Sequence, residues 1–291
     1  MIGAGLPTFV RIDGFTGPLE LARAKEISCI DKDIPKRMLK QSIRRGSKEH
    51  FFHFLLGYLL PLVHLQSKHR FKRFLALDCG PILTPILEET LARLGYKFRI
   101  VGPYAIQRPI FLDPWDHGWT GHRDFDSVRH AVDLVRKAWC NNPHFGTECP
   151  PLSKNLLIRR SRPHQFYLDG SAEIKGYGTS RRGMSNLEEV SDYLTHNNVS
   201  HSIYEPGAHC LGCQIQAFST AHRLLGFRGA EWANLIWSTP EVRVRMLDHN
   251  PPARLVGRLM TNLGIRHEFA IVDSTHAPEN PQEALRFFRE D

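Results

Sequence analysis

Short apolar runs alternate with stretches of helical spacing and predict an α/β protein. The alternation restarts after a break rich in Asn, Pro and Gly at 141–151, so two such halves are expected, each with a parallel sheet. A length of 291 residues suits one or two domains. With 42% hydrophobic and 23% charged residues the chain can fill a core, which excludes disorder throughout.

In the first half, residues 1–148, the stretch before residue 44 shows little periodicity and reads as an irregular segment. Residues 51–65 are helical by length and apolar almost all round, as in a helix buried on most sides. Pro61 must kink it or stand in the first turn of a second helix. The run 74–77 reads as a buried strand closed by Asp78-Cys79-Gly80. Residues 86–94 have helical spacing and stop at Gly95, and 97–101 form the next strand. A long polar and aromatic loop fills 103–126 before helical spacing returns at 128–139.

The second half, residues 149–291, opens with a strand at 155–158 and a Gly- and Arg-rich loop at 161–185. Asn186 caps a helix to residue 194, with Glu188 and Glu189 in the first turn, where the helix dipole favours acids. Strands follow at 201–204, 223–225, 242–247 and 267–272. Helices are expected at 211–221, 230–237, 252–263 and 282–288, and 226–230 reads as a tight turn. The pattern suits two Rossmann-like lobes. Ligands of such sheets sit beyond the carboxyl ends of the strands, and a cleft between lobes is the default active site.

A formal net charge of +8 favours anionic partners: nucleic acid, acidic lipid or a phosphorylated small molecule. Its clusters are short, and no basic recognition helix, RNP-like strand or zinc-finger spacing accompanies them, so no nucleic-acid partner is expected. Four of the six cysteines are isolated singletons, and residues 1–14 carry neither a basic n-region nor a long apolar core. Reduced thiols and a cytoplasmic location are therefore expected, with peripheral association at a membrane left open. Cys210-x-x-Cys213 with His209 and His222 nearby is a weak zinc signal, because only one such pair exists.

Two blocks of sequence resemble a known family. The first is His50-Phe51-Phe52-His53-Phe54-Leu55-Leu56 with Pro61 behind it. The second runs from Leu156 to about Leu247 and holds Leu157-Ile158-Arg159-Arg160-Ser161, then Arg182-Gly183-Met184-Ser185-Asn186-Leu187-Glu188-Glu189, then Gln214 and Phe218. It continues with Gly226-Phe227-Arg228-Gly229-Ala230-Glu231-Trp232-Ala233-Asn234. In order and spacing this set resembles the family 61 glycosyltransferases. The resemblance implies an inverting, metal-independent transferase of the two-lobed GT-B architecture, with residues 1–148 on the acceptor side and 149–291 holding the nucleotide sugar. It implies a glycan, glycolipid or polysaccharide acceptor and no cofactor. Two departures stand out. Arg228 replaces the family's His, and the acid expected near the end of the next strand is missing from 242–247, where Arg243, Arg245 and Met246 stand in positions that usually face the donor.

Glycosyl transfer requires a stabilised phosphate leaving group and a deprotonated acceptor hydroxyl. Arg160, at a strand end, and Arg182 and Arg228 can form charge-assisted bonds to phosphate. Gly229-Ala230 opens a helix after a strand, where backbone N–H groups meet anions. Asn186, Gln214 and Asn234 join this donor-side set through the resemblance, the latter two with a packing role as the alternative. His53 is the candidate base, against the reading of a packed core histidine, because imidazole takes up protons near neutrality. Asp113, Asp116, His117, His122 and Asp124 in the long loop are its competitors, with Asp116 and Asp124 entered beside His53 as catalytic candidates. The rival functions are a degenerate nucleotide-binding scaffold of a polysaccharide assembly system and a basic nucleic-acid-binding protein.

Overall fold

The computed structural model describes residues 8–11, 50–70, 72–101, 109–111, 125–140, 149–161, 164, 182–249 and 254–289. The chain divides into two compact units, Met1–Trp139 and Cys140–Asp291. Each carries a parallel sheet flanked by helices, so the protein is α/β. Asp113, Asp116, His117, His122 and Asp124 lie outside the described residues.

The first unit has four strands, β1 (Thr8–Arg11), β2 (Phe74–Leu77), β3 (Phe98–Val101) and β4 (Pro109–Phe111), all parallel, in the order β3-β2-β1-β4. Two of them correct the sequence reading. β1 falls in the segment expected to be irregular and β4 in the long loop. Both are short and lie in segments without helix–strand alternation around them, so pairing in the sheet decides them.

The apolar helical stretch is broken into α1 (Phe51–Phe54), a π-helical turn (Leu55–Leu59) and α2 (Leu60–His69), with Pro61 in the first turn of α2 as one of its two expected places. Tyr58 is fully buried there, and its hydroxyl accepts the Leu77 N–H at 2.5 Å, tying the π turn to the end of β2. Helix α3 (Gly80–Arg93) begins six residues earlier than its spacing suggests. Asp78 Oδ1 accepts from the Gly80 N–H (2.9 Å) and the Thr84 hydroxyl (2.6 Å), while Thr84 Oγ1 accepts from the Cys79 N–H (2.7 Å), so donors ahead of Pro85 are met. Gly95, at φ +71°, closes α3 as expected: its N–H bonds to Ala92 O and that of Tyr96 to Leu91 O. Helix α4 (Phe125–Cys140) packs on α3, where the Trp139 indole donates to Thr90 Oγ1 at 3.1 Å and lies under the Arg93 guanidinium.

The second unit holds β5 (Asn155–Ile158), β7 (Ser202–Tyr204), β8 (Arg223–Phe227), β9 (Arg243–Asp248) and β10 (Arg266–Ile271), all parallel, in the order β10-β9-β8-β5-β7. A separate two-stranded ribbon pairs β6 (Gly183–Met184) with β11 (His276–Ala277). Helices α5 (Leu187–His196) and α8 (Pro281–Arg289) cover one face, where Leu157, Leu225, Phe227 and Leu247 meet Leu187, Val190, Leu194, Phe287 and Phe288. Helices α6 (Leu211–Thr220) and α7 (Arg254–Asn262) and a 3-10 helix (Ala230–Trp237) complete the unit. Gly226 lies inside β8, not in a turn. A Cβ there would stand 2.9 Å from both Ile158 Cβ and Ile158 O and 3.4 Å from the Trp232 ring, so the missing side chain serves packing between strands.

The expected reduced thiols are also corrected: Cys149 and Cys213 form a disulfide that joins the start of this unit to the first turn of α6. Among the described residues no helix is long and apolar enough to cross a membrane.

Candidate functional site

In chain order the five strands of the second unit's sheet run 2-1-3-4-5 across it, with the reversal between β5 and β8. Loops leaving such a pair diverge to opposite sides, and the gap at their carboxyl ends is where open α/β sheets bind ligands. Arg160 follows β5 by two residues, and Arg228-Gly229 follow β8 directly. Sheet topology therefore puts the candidate donor residues at the reversal.

Four charged side chains make up the centre. Arg160 Nε is 3.5 Å from Glu231 Oε1, and Arg228 Nε is 3.2 Å from Asp248 Oδ1. Neither contact is a hydrogen bond: Arg160 Nε and Nη1 and Arg228 Nε are all buried without a hydrogen-bond partner among the described residues. Unmet guanidinium donors out of water are costly, and a planar anion satisfies them two at a time. Arg182 completes the cluster. It precedes β6, which is pinned to β11 by the Gly183 N–H bond to Thr275 O (2.9 Å) and the Ser185 N–H bond to Ala277 O (3.1 Å). Burial first, and then the positive charges of Arg228 and Arg160, push the Arg182 guanidinium below its ordinary pKa. Mutual repulsion of three cations is relieved by a bound anion.

Gly229-Ala230 does precede a helix, but its free end is covered. A Cβ on Gly229 would lie 2.0 Å from Glu231 Oε2 and 3.5 Å from Arg160 Cζ, so the Glu231 carboxylate folds back over its own helix start. Its place is the one an incoming phosphate would take. Glu231 and Asp248 were not among the residues expected from sequence. β9 extends one residue past the apolar run and ends on an acid, Asp248, fully buried beside Arg228. Arg245 is held by carboxylates of other segments. Glu279 grips it through both oxygens (3.2 and 3.0 Å), and Glu268 accepts a further bond at 2.5 Å. Burial alone would lower its pKa, and these carboxylates raise it.

The remaining donor-side candidates support the site from beneath. Asn234 donates to Gln214 Oε1 at 2.8 Å and accepts from the Trp237 indole at 3.1 Å, while Gln214 donates to His209 O at 2.9 Å. With exposures of 0% and 3%, Asn234 and Gln214 brace the 3-10 helix against α6, the packing role left open beside donor contact. Asn186 stands at the N-cap position of α5 without making the side-chain cap bond expected of it. Its amide reads Glu279 in both directions, donating to the carbonyl and accepting from the N–H, each at 2.9 Å. This holds the β11–α8 connection to the start of α5. His53, in the first unit, is half-buried at the end of α1 between two buried residues, Phe52 and Phe54, with the Phe52 ring edge-on at 5.6 Å. Among the described residues no group of three or more His, Cys, Asp or Glu is placed to hold a metal ion. Cys213, the second residue of the weak zinc signal, is bonded to Cys149.

No protein-family model matches the chain, and no curated protein matches it.

Glu231 supplies a stability test. Burial raises its pKa above the ordinary carboxylate value, and Arg160 only partly opposes this. A raised folded-state pKa means the contribution is fully present below the unfolded value and is lost as pH rises through the folded one. Glu231→Gln removes that loss. The melting temperature of Glu231→Gln relative to wild type should therefore climb as pH rises through and above the ordinary carboxylate range. A difference that stays constant over the range would show that Glu231 is ionised and fully compensated throughout.

Proposed function

We propose that this chain is a glycosyltransferase that moves a sugar from a nucleotide-activated donor to a glycan, glycolipid or polysaccharide acceptor, with inversion. The observation that carries the reading is the trio Arg160, Arg182 and Arg228 at the strand-order reversal of a parallel sheet, with buried donors on Arg160 that lack hydrogen bonds among the described residues. A diphosphate suits such a cluster, since each guanidinium offers a planar fork to two oxygens. The ordered motifs that resemble family 61 transferases support it, and in that reading the two units are the acceptor and donor lobes of a GT-B enzyme.

In the transfer step, negative charge grows on the leaving phosphate. Arg160 and Arg228 would meet it once the phosphate displaces Glu231 from the helix start. His53, or an acid of the long loop such as Asp116 or Asp124, would take the acceptor proton as the hydroxyl attacks the anomeric carbon from the face opposite the leaving group.

Three cations are provided for the phosphates, so transfer should need no divalent ion. Activity in a chelating buffer is expected to equal that in Mg²⁺ or Mn²⁺, and activity abolished by chelator and restored by either ion would overturn this. The function itself is tested by melting the protein with a panel of nucleotides and nucleotide sugars. A ligand at one hundred times its Kd stabilises by about 2.7 kcal/mol and raises the midpoint accordingly. A midpoint indifferent to the whole panel but raised by duplex or single-stranded nucleic acid, with steep salt dependence, would favour the nucleic-acid reading instead. The scaffold reading draws on Glu231 and Asp248, which partly offset two of the arginines. Binding of nucleotide without any turnover of a nucleotide sugar would favour it.

A further inference from the structure

We propose that Cys149, Cys210 and Cys213 form a thiol–disulfide exchange site in which Cys213 alternates between two partners. Cys213 is bonded to Cys149, and the Cys210 sulfur lies 3.4 Å from the Cys213 sulfur. Three sulfurs thus meet at the start of α6, and the middle one has a choice.

Local structure holds Cys210 beside the sulfur it would attack. Cys210 is the N-cap residue of α6, with extended backbone, and its sulfur accepts the Cys213 N–H at 3.4 Å. That contact keeps the side chain folded over the first turn of the helix, on the sulfur it would attack. Cys210 is exposed, whereas Cys213 is buried at 3%, so Cys210 is the sulfur through which solvent thiols reach the pair.

The step balances without an outside oxidant or reductant. The Cys210 thiolate attacks the Cys213 sulfur, a bond forms between them, and the Cys149–Cys213 bond breaks. Its electron pair leaves on Cys149, which takes up a proton equivalent to the one Cys210 released. The chain still holds one disulfide and one thiol. What changes is the span. The native link closes 64 residues and ties the segment ahead of β5 to α6, whereas the alternative closes only the first turn of α6. Exchange therefore frees the entry to β5, the strand that leads into Arg160. Next to the switching sulfur, Gln214 bonds Asn234 of the 3-10 helix that carries Glu231. The exchange is thus linked to the elements that carry Arg160 and Glu231.

The experiment uses the full chain purified without reductant. After incubation at pH 8.5 it is quenched in acid and alkylated with N-ethylmaleimide, and its disulfide-linked peptides are mapped by mass spectrometry. Both Cys149–Cys213 and Cys210–Cys213 should appear, with the alkylated thiol on Cys210 in the first form and on Cys149 in the second. A single Cys149–Cys213 linkage with all label on Cys210, or no linkage among the three, would overturn the proposal. Cys149→Ser in a buffer of reduced and oxidised glutathione gives a second readout. It should close Cys210–Cys213, and finding only glutathione adducts on those two residues counts against exchange.

Discussion

His53→Ala is expected to lower sugar transfer by roughly 10²–10⁴-fold, the usual contribution of a positioned acid–base group, while nucleotide affinity hardly changes. The residue stands just before the π-helical turn Leu55–Leu59, a departure from regular helix that is frequent at functional sites. Its ring is half-buried while its neighbours Phe52 and Phe54 are buried, so the one polar residue of α1 takes its more open side. A core histidine would behave differently. Its loss would lower the melting temperature and leave the turnover of the remaining folded protein nearly intact. Turnover and melting measured on the same variant therefore separate the two roles. If turnover survives, the proton acceptor belongs among Asp113, Asp116 and Asp124, which are then replaced in turn.

Arg160→Ala is expected to weaken nucleotide binding by about 1.5–3 kcal/mol, the worth of one hydrogen bond to a charged group, which is roughly 10- to 150-fold in Kd. Two of its buried donors have no hydrogen bond among the described residues, so a bound phosphate would gain them without breaking bonds made there. The same substitution removes the cation beside Glu231, whose side chain is only 10% exposed, and an uncompensated buried carboxylate costs stability. Arg160→Ala combined with Glu231→Gln avoids that cost and should show the binding defect alone. Calorimetry that returns wild-type affinity for the double variant would remove Arg160 from the site. Arg160→Lys keeps the charge but not the planar fork, and intermediate affinity is expected of it.

Much of the second unit was legible in the linear chain. Its apolar runs register against the intervening helical spacing, and the β5 run announces its role directly. The first unit was less legible, although Gly95 closes its helix as read. β1 and β4 are three or four residues long, set in segments without periodicity, and exist because β2 offers an edge to β1 and β1 in turn offers one to β4. Rules about residue type misled at Gly226, where a glycine read as a turn is in fact a strand position needed for close approach to Ile158 and Trp232. They misled again at the cysteines, because chain length and spacing carry no information on which sulfurs the fold brings within bonding distance.

Sequence by itself determined the α/β class, the restart at the break before β5, and the presence of Arg160, Arg182 and Arg228 as candidates for an anion. Those follow from periodicity and from residue chemistry, which are local. Only tertiary structure decided which charges meet. Arg228 faces Asp248 from the neighbouring strand, Arg160 faces Glu231 from the 3-10 helix after β8, and Arg245, three residues before the strand's end, is withdrawn to Glu279 and Glu268. Gln214 and Asn234, twenty residues apart in the chain, are turned inward to each other. Partners of this kind are set by strand order and by the face each residue takes in the sheet, and both are properties of how distant segments pair.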